Sequence, residues 1–338
     1  MKKIQKLKRR HHTVPRFHLK RFANEHGRLI RVALPGDKSH PISVNDATVE
    51  KDFYLLEDEQ GTQSDALEDL LSEVEGNAAK GVRNIVDEHI WPITGKTRES
   101  VAAWAASQAL RTTSQRQSSS EIADIMLKMQ IGIGGKPQVR HVLRDRLGRE
   151  PTDSEVATNW ATLSNFDSYA VESHPHNHLK IMLSLWPDTT AMFCARGWTV
   201  VRFERKALIT CDAPVYLAPA PDHPEWAGIG LATAGTILVP LDRRVALLMG
   251  EVGAPDARAA GTTLLYKQYN QALAWNARTA IFHHPNDPLF DGLELPEPKK
   301  RIMGGYDQVK DLIFPEGIGA RFKAANTKAA TPQADTDA

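Results

Sequence analysis

The stretch TILVPLDRRVALLM, residues 236–249, indicates more about the fold than any other part of the chain. Two apolar runs flank the tetrapeptide Leu241-Asp242-Arg243-Arg244, and such runs around a polar turn are typical of a β-hairpin. Strand-like patterns at 198–203, 207–217 and 229–231 come before it. Because these short runs follow one another closely, we predict a mostly antiparallel sheet over about 198–250.

The region before this sheet has the periodicity of helices. Beyond Ser64, the predicted N-cap, leucine and valine recur at helical spacing through Val74. We therefore predict a central helical block over about 64–195, with a break at the glycines of 132–135. Within this block, further helical stretches are expected at 78–88, 99–113, 120–130, 138–163 and 172–194.

Three further elements complete the predicted fold. Residues 28–34 and 52–56 have the composition of strands, and residues 262–282 have the pattern of a closing helix. The order of strands, helical block, strands and final helix favours an α+β fold over an alternating α/β fold.

The composition is that of an ordinary folded protein. Of the 338 residues, 41% are hydrophobic and 25% are charged, which is close to globular averages. The net charge of +1 provides no whole-molecule field that would attract nucleic acid or anionic lipid. Cys194 and Cys211 are too few for a disulfide framework or a multi-cysteine zinc site. Without a leader-like or membrane-spanning run, we expect a soluble cytoplasmic protein with no membrane contact.

Changes in composition along the chain predict four parts. Residues 1–10 contain six basic and no acidic side chains, which predicts a flexible basic arm able to hold nucleic acid as a partner. Residues 11–195 join an N-terminal motif segment to the helical region, and residues 196–322 form a β-rich region with the closing helix. Residues 323–338 contain few large apolar groups and are predicted to be a disordered tail.

The segment HHTVPRFHLKRF, residues 11–22, is the first candidate site. Neutral imidazole ligates metals or transfers protons near neutral pH, so His11 and His12 are candidate catalytic residues and His12 a candidate metal ligand. In the alternative interpretation, Phe17 and its apolar neighbours anchor the N-terminus, and the histidines make structural hydrogen bonds.

The same segment resembles the start of the family called domain of unknown function 4238, which begins with a His-His-x-Val-Pro-x-x-x-Leu-x-x-Phe pattern. Later stretches are similar to further motifs of that family, in the same order, over about residues 11–283. These stretches are Asp52-Phe53-Tyr54, the helix with Glu68 and Glu75, Gln108–Thr112, Ile209–Val215, Ile237–Leu241 and Asn270–Arg278. The resemblance implies membership of a bacterial family without a settled activity, and it therefore implies no catalytic residue.

Two glutamates form the second candidate site. Glu68 and Glu75 are seven residues apart, so both carboxylates lie on one face of the predicted helix. Carboxylates together with histidine bind divalent cations, which makes both residues candidate ligands for Mg²⁺ or Mn²⁺ as a cofactor. The alternative is that they belong to the solvated face of an amphipathic helix.

An arginine and an aspartate complete the candidates. Arg111 follows Gln108 on a predicted helix and is either a clamp for phosphate or the ion-pair partner of Glu68 or Asp212. Asp212 stands between a strand-like run and Pro214, where it either points into a cleft as a catalytic group and metal ligand or merely forms the turn.

Two functions remain open from the sequence, and whether the protein is an enzyme is not decided. The first is an interaction or binding module, in a phage-defence or stress setting. The alternative is a metal-dependent phosphodiesterase or nuclease, in which a histidine with Glu68, Glu75 and Asp212 holds the metal and Arg111 holds the phosphate. Both hypotheses predict that His12, Glu68, Arg111 and Asp212 converge on one site.

Overall fold

The computed structural model describes residues 7–57, 61–224 and 228–299. Their contacts define two compact units: one contains the described residues up to Arg116 and from Pro175 to Lys299, and the other contains Gln117–His174. The predicted tail 323–338 and the first six residues of the predicted arm lie outside the described residues. The boundary predicted near residue 195 stays a prediction.

The bounds of the elements follow the chain. The strands are β1 (Arg10–His12), β2 (Arg28–Ala33), β3 (Lys38–Ser43), β4 (Val49–Lys51), β5 (Leu56–Glu57), β6 (Gln63–Ser64), β7 (Arg196–Arg202), β8 (Thr210–Cys211), β9 (Tyr216–Pro219), β10 (Ala234–Asp242), β11 (Val245–Val252), β12 (Ala257–Ala260) and β13 (Ala280–His283). The α-helices are α1 (Arg16–Lys20), α2 (Ala66–Val86), α3 (Gly95–Leu110), α4 (Thr113–Leu147), α5 (Asp153–Leu163), α6 (Pro175–Ala195) and α7 (Thr263–Asn276). The α+β class predicted from the sequence is confirmed.

The predicted hairpin is confirmed as β10 and β11, the inner strands of a sheet with the order β12-β7-β11-β10-β9. Its neighbours are antiparallel except β12, which runs parallel to β7. Along β10, Ile237 and Val239 join one core cluster, whereas Leu238, between them, joins a second cluster. Because both faces of the strand are buried, the sequence needs apolar residues at successive positions, which explains the continuous apolar run.

Helices α2, α3 and α6 supply the first of these core clusters together with the sheet. Trp104 of α3 and Trp198 of β7 are fully buried within it. A Cβ atom added at Gly81 of α2 would lie 2.5 Å from Cγ2 of Val101 in α3. Glycine at this position therefore permits the close approach of the two helices that carry the candidate glutamates and Arg111.

The second core cluster lies beside a four-stranded antiparallel sheet with the order β3-β2-β13-β8. In its centre, Ile281 of β13 is paired with Val32 of β2 on one side and with Cys211 of β8 on the other. The α7 residues Leu273 and Ala274 are buried in the same cluster. The predicted strand at 28–34 is thus matched by β2, and its main partner is the last described strand.

The second unit is helical. Helix α4 is interrupted at Gly135, whose φ of 56° and ψ of −149° are not helical. Thr152 and Glu155 form a capping box at the start of α5, because each side chain binds the other residue's backbone N–H. A small core joins the two helices, with the buried residues Ile131, Val139, Leu143, Val156 and Phe166.

The predicted closing helix is confirmed as α7, but it is shorter than the predicted range 262–282. Helix α7 ends at Asn276, and residues 280–283 form β13 instead. The reason is the Asp212 carboxylate, which accepts hydrogen bonds from the backbone N–H groups of Arg278, Thr279 and Ala280. Those N–H groups are therefore not available to continue the helix.

The helix break predicted at the glycines of 132–135 is found at Gly135. Two other local predictions are corrected. Residues 52–54 form a turn with Asp52 at a φ of 57°, and not the predicted strand 52–56. Residues 229–231 do not form a strand, because they precede a turn that leads into β10.

Candidate functional site

Helix α2 carries both candidate glutamates. Leu67 and Leu71 are buried in the first core cluster, and this buried side fixes the rotation of the helix. Glu68 and Glu75 lie at the edge of the buried stripe, two turns apart on one face. Gly76 belongs to the same face, and nothing lies within 4 Å of the position where its Cβ would be. The missing side chain leaves space beside the carboxylates.

The N-terminal segment supplies the opposite wall. Strand β1 pairs with β4, and successive side chains along a strand point to opposite sides. His11 is fully buried, whereas the next residue, His12, is half-buried and lines a cavity beside α2. The two adjacent histidines therefore have different surroundings.

The ring of His11 has both of its nitrogens engaged. Nδ1 accepts a hydrogen bond from the backbone N–H of Tyr54 at 2.8 Å, and Nε2 donates to the backbone carbonyl of Lys8 at 2.9 Å. Burial lowers the pKa of His11, which keeps the ring neutral. His11 thus holds the turn at residues 52–54 against the N-terminal segment, and neither nitrogen is left to contact a ligand.

His12 keeps one nitrogen without a partner. Backbone groups of Val44 and Asn45 act on its ring to raise its pKa, whereas Nε2 is buried and has no hydrogen-bond partner among the described residues. Burial lowers the pKa of His12, and the positive charge of Arg16 lowers it further. In the neutral ring with its proton on Nδ1, Nε2 has a lone pair that is able to accept a hydrogen bond.

His12 and the two glutamates line one cavity of about 370 Å³. Arg10 and Arg16 are exposed at its rim, and Glu68 and Glu75 are only partly exposed. The residues that line the cavity are Arg10, His12, Arg16, Phe17, Glu68, Ser72, Glu75, Gly76 and Ala79. This volume falls within the range of small-molecule sites in proteins.

The carboxyl group of Glu68 is held in an unfavourable place for a negative charge. Partial burial and the neighbouring charge of Glu75 raise its pKa to about 7. The Glu68 carboxyl group has no hydrogen bond or ion pair to any described residue, and the positive charges of Arg111 and Lys8 offset only part of the increase. Near neutral pH this group is therefore able to gain or lose a proton, which favours a role in binding or chemistry.

Arg111 lies behind the cavity and is completely buried. Its Nη2 donates to Oε1 of Glu75 at 2.7 Å, and its guanidinium carbon lies 5.8 Å from the centre of the Tyr54 ring. Its Nε and Nη1 are buried without a partner among the described residues. The partner that we predicted for this arginine was Glu68 or Asp212. The structure instead pairs it with Glu75, and Arg111 does not line the cavity.

Asp212 has a different environment. Its two oxygens accept hydrogen bonds from the backbone N–H groups of Arg278, Thr279 and Ala280 at 2.7, 2.8 and 3.3 Å. The hydroxyl of Thr279 donates a further bond at 2.6 Å. Asp212 does not line the cavity with His12 and Glu68. Of the four residues predicted to converge, His12 and Glu68 meet there, Arg111 reaches it through Glu75, and Asp212 forms a turn.

The described part of the predicted basic arm is held against the rest of the protein by ion pairs. The ammonium group of Lys8 lies 2.5 Å from Asp69, and its backbone N–H donates to Asp65 at 3.0 Å. Arg9 pairs with Asp52, and Arg10 with Asp46. The positive charge of these three residues is therefore partly offset by carboxylates. We expect them to contribute less to nucleic-acid affinity than their sequence suggests.

Arg10 and Arg16 line the cavity but were not among the residues predicted for the site. Arg10 was assigned to the arm, and Arg16 was given no role. One signal was available, because Arg16 is four residues after His12 within a segment that Pro15 constrains. The position of Tyr54, whose backbone holds His11, had no comparable signal.

Metal binding gains no direct support from the geometry. Within residues 7–57, 61–224 and 228–299, no three or more His, Cys, Asp or Glu side chains are grouped so that they could hold a metal ion. Oε1 of Glu75 is already engaged by Arg111. A metal ligand set at this cavity would therefore require side chains to move.

The fold and the cavity define an α+β protein with a small polar site between its N-terminal segment and a long helix. The model of a family described as protein of unknown function (DUF4238) matches residues 10–287, and the chain belongs to this family. No curated protein and no solved structure matches the chain. In the part of the chain that the structure describes, no helix has the length and apolar character needed to cross a bilayer.

Proposed function

We propose that the protein is a binding module whose ligand is a small polar molecule held in the cavity lined by His12, Glu68 and Glu75. One observation carries the proposal: His12 Nε2 and the Glu68 carboxyl face one cavity, and neither has a partner among the described residues. Buried polar groups without partners cost free energy, which a ligand that hydrogen-bonds to them recovers.

The proposal is tested by filling the cavity. Gly76→Leu places a side chain in the cavity from a position where a Cβ meets nothing within 4 Å. Leucine also favours a helix over glycine, so the fold should be no less stable. Asn77→Leu is the matched control, because Asn77 is exposed on the same helix and does not line the cavity.

The measurement is the melting temperature of the three proteins with Mn²⁺, inorganic phosphate or L-arginine as probes. We expect at least one probe to raise the melting temperature of the wild type by about 2 °C or more at saturation. The same shift should persist in Asn77→Leu and disappear in Gly76→Leu. The proposal is overturned if no probe stabilises the wild type, or if Gly76→Leu responds as the wild type does.

A second candidate function is a metal-dependent phosphodiesterase or nuclease. It is favoured by the presence of three predicted ligands, His12, Glu68 and Glu75, around one cavity with arginines at the rim. In this case Arg16 would hold the phosphate, since Arg111 is buried behind Glu75. The test is hydrolysis of bis(p-nitrophenyl) phosphate with Mn²⁺. Activity that Glu68→Gln lowers by about a hundredfold or more supports this candidate, and equal rates in both proteins rule it out.

A further inference from the structure

The hydrogen-bonding character of the cavity differs between its inner wall and its rim. His12 Nε2 and the oxygens of Glu68 and Glu75 on the inner wall are acceptors, apart from the single proton that Glu68 gains or loses. The rim has the opposite character, because the guanidinium groups of Arg10 and Arg16 have only donors. A ligand that satisfies both ends therefore needs donors at its inner end and acceptors at its outer end.

Charge leads to the same requirement. On the inner wall, Arg111 already neutralises Glu75, and the charge of Glu68 lies beside Glu75 without a cation bonded to it. At the rim, Arg10 is paired with Asp46, whereas Arg16 forms no ion pair with any described residue. The negative Glu68 and the positive Arg16 are thus both available to a ligand. A simple cation or a simple anion would neutralise only one of them.

Resting on the proposed binding function, we infer that the ligand is a small zwitterion of the amino-acid type. The cationic end of its side chain, a guanidinium group, would contact Glu68, Glu75 and His12, and its carboxylate would contact Arg16. Bonds between guanidinium and carboxylate groups are short and charge-assisted, and this gives the two ends of the cavity a fixed polarity. A volume of about 370 Å³ admits a molecule of that size and excludes a folded macromolecule.

Three related compounds test this inference by calorimetric titration of the full-length protein. L-Arginine has both charged ends, citrulline replaces the guanidinium by a neutral urea of nearly the same shape, and agmatine lacks the carboxylate. We expect L-arginine to bind at least about tenfold more tightly than either analogue, as expected for the loss of one charge-assisted contact.

Two substitutions assign the two ends of the ligand. Glu68→Gln should remove most of the preference for arginine over citrulline and leave the preference over agmatine. Arg16→Gln should do the reverse, and because Arg16 is exposed this change should not disturb folding. Melting temperatures of both variants, measured without ligand, show whether each one is folded.

The outcomes distinguish failure of the proposed ligand class from failure of the proposed binding site. Equal affinities for arginine, citrulline and agmatine overturn the inference of a zwitterionic ligand. The absence of arginine binding to the wild type also overturns it. If phosphate or Mn²⁺ then binds in a way that Gly76→Leu abolishes, the cavity remains a binding site with another ligand class. If binding of every probe is the same in Gly76→Leu and Asn77→Leu, the proposed function fails together with the inference.

Discussion

Asp212 and Glu68 were predicted to act in one site, and their surroundings are opposite. Asp212 accepts bonds from three backbone N–H groups and one hydroxyl, so the fold itself satisfies both of its carboxylate oxygens. The Glu68 carboxyl group has no hydrogen-bond partner among the described residues, and burial beside Glu75 raises its pKa to about 7. A carboxylate in a polar turn thus has a structural role when backbone N–H groups satisfy it. An unsatisfied carboxylate beside a cavity is the better candidate for binding.

The largest effect should come from the satisfied carboxylate. Asp212→Ala leaves the N–H groups of residues 278–280 without their acceptor, and we expect a loss of about 3–4 kcal/mol in the free energy of unfolding. Urea denaturation measures it. Asp212→Asn is the control, because it keeps one acceptor oxygen and should cost about half as much. A loss below about 1 kcal/mol for the alanine variant would contradict the structural role of Asp212.

A smaller loss is expected at the carboxylate that Arg111 engages. Glu75→Gln leaves a completely buried guanidinium without a charged partner. Because Glu75 is itself 24% exposed, we expect a loss of about 2–3 kcal/mol, less than for a fully buried pair. Glu73→Gln, at an exposed position of the same helix, is the matched control and should change stability by less than about 0.5 kcal/mol. Equal losses in the two variants would show that the ion pair contributes nothing.

Removing the charge of Glu68, the unsatisfied carboxylate, should increase the free energy of unfolding instead of lowering it. The pKa of Glu68 is about 7 in the folded protein and ordinarily 4.5, so the folded state holds the proton more tightly. Its contribution to stability is complete below about pH 4.5 and is lost as the pH rises through about 7. Glu68→Gln imitates the protonated group. It should stabilise the protein at about pH 8 by roughly 1–2 kcal/mol after allowance for solvent screening.

Urea denaturation of wild type and Glu68→Gln at a series of pH values tests whether the substitution raises the free energy of unfolding. The difference between the two proteins should grow from about pH 5 to pH 8. A glutamine variant that is less stable than the wild type at high pH would show that the Glu68 charge is satisfied after all.

The smallest effect is expected at the surface. Lys8 and Asp69 are paired at 2.5 Å, but their side chains are 53% and 60% exposed. Exposed ion pairs contribute little, so Asp69→Ala should lower the melting temperature by no more than about 2 °C, and high salt should remove the difference. A decrease of about 10 °C would instead mean that the first described residues are needed for the fold.

The elements with strong periodicity were predictable from the sequence. The hairpin of β10 and β11, strand β2 and the long helix α2 follow from local patterns that the structure keeps. The end of α7 was not predictable, because it depends on a carboxylate at Asp212 that is distant in sequence. Likewise, the turn at Asp52–Tyr54 depends on His11, whose ring nitrogen accepts the Tyr54 N–H.

The candidate site was predictable by residue type but not by partner. The pattern of two glutamates on one helical face correctly indicated that Glu68 and Glu75 lie together. Nothing in the sequence distinguishes His11 from His12, although pairing of β1 with β4 buries one ring and leaves the other beside the cavity. The pairing of Arg111 with Glu75 instead of Glu68 depends on how α2 and the end of α3 lie against each other, which is a tertiary property.

Strand β13 has a consequence for synthesis of the protein on the ribosome. It lies between β2 and β8, so the sheet begun at residues 28–33 lacks its central strand until residues 280–283 have left the ribosome. At roughly 5–20 residues per second, this delay is on the order of tens of seconds. During that time β2 has one edge paired only with β3 and the other edge unpaired, and unpaired edges invite aggregation. The nascent chain is therefore most in need of a chaperone before its last described strand emerges.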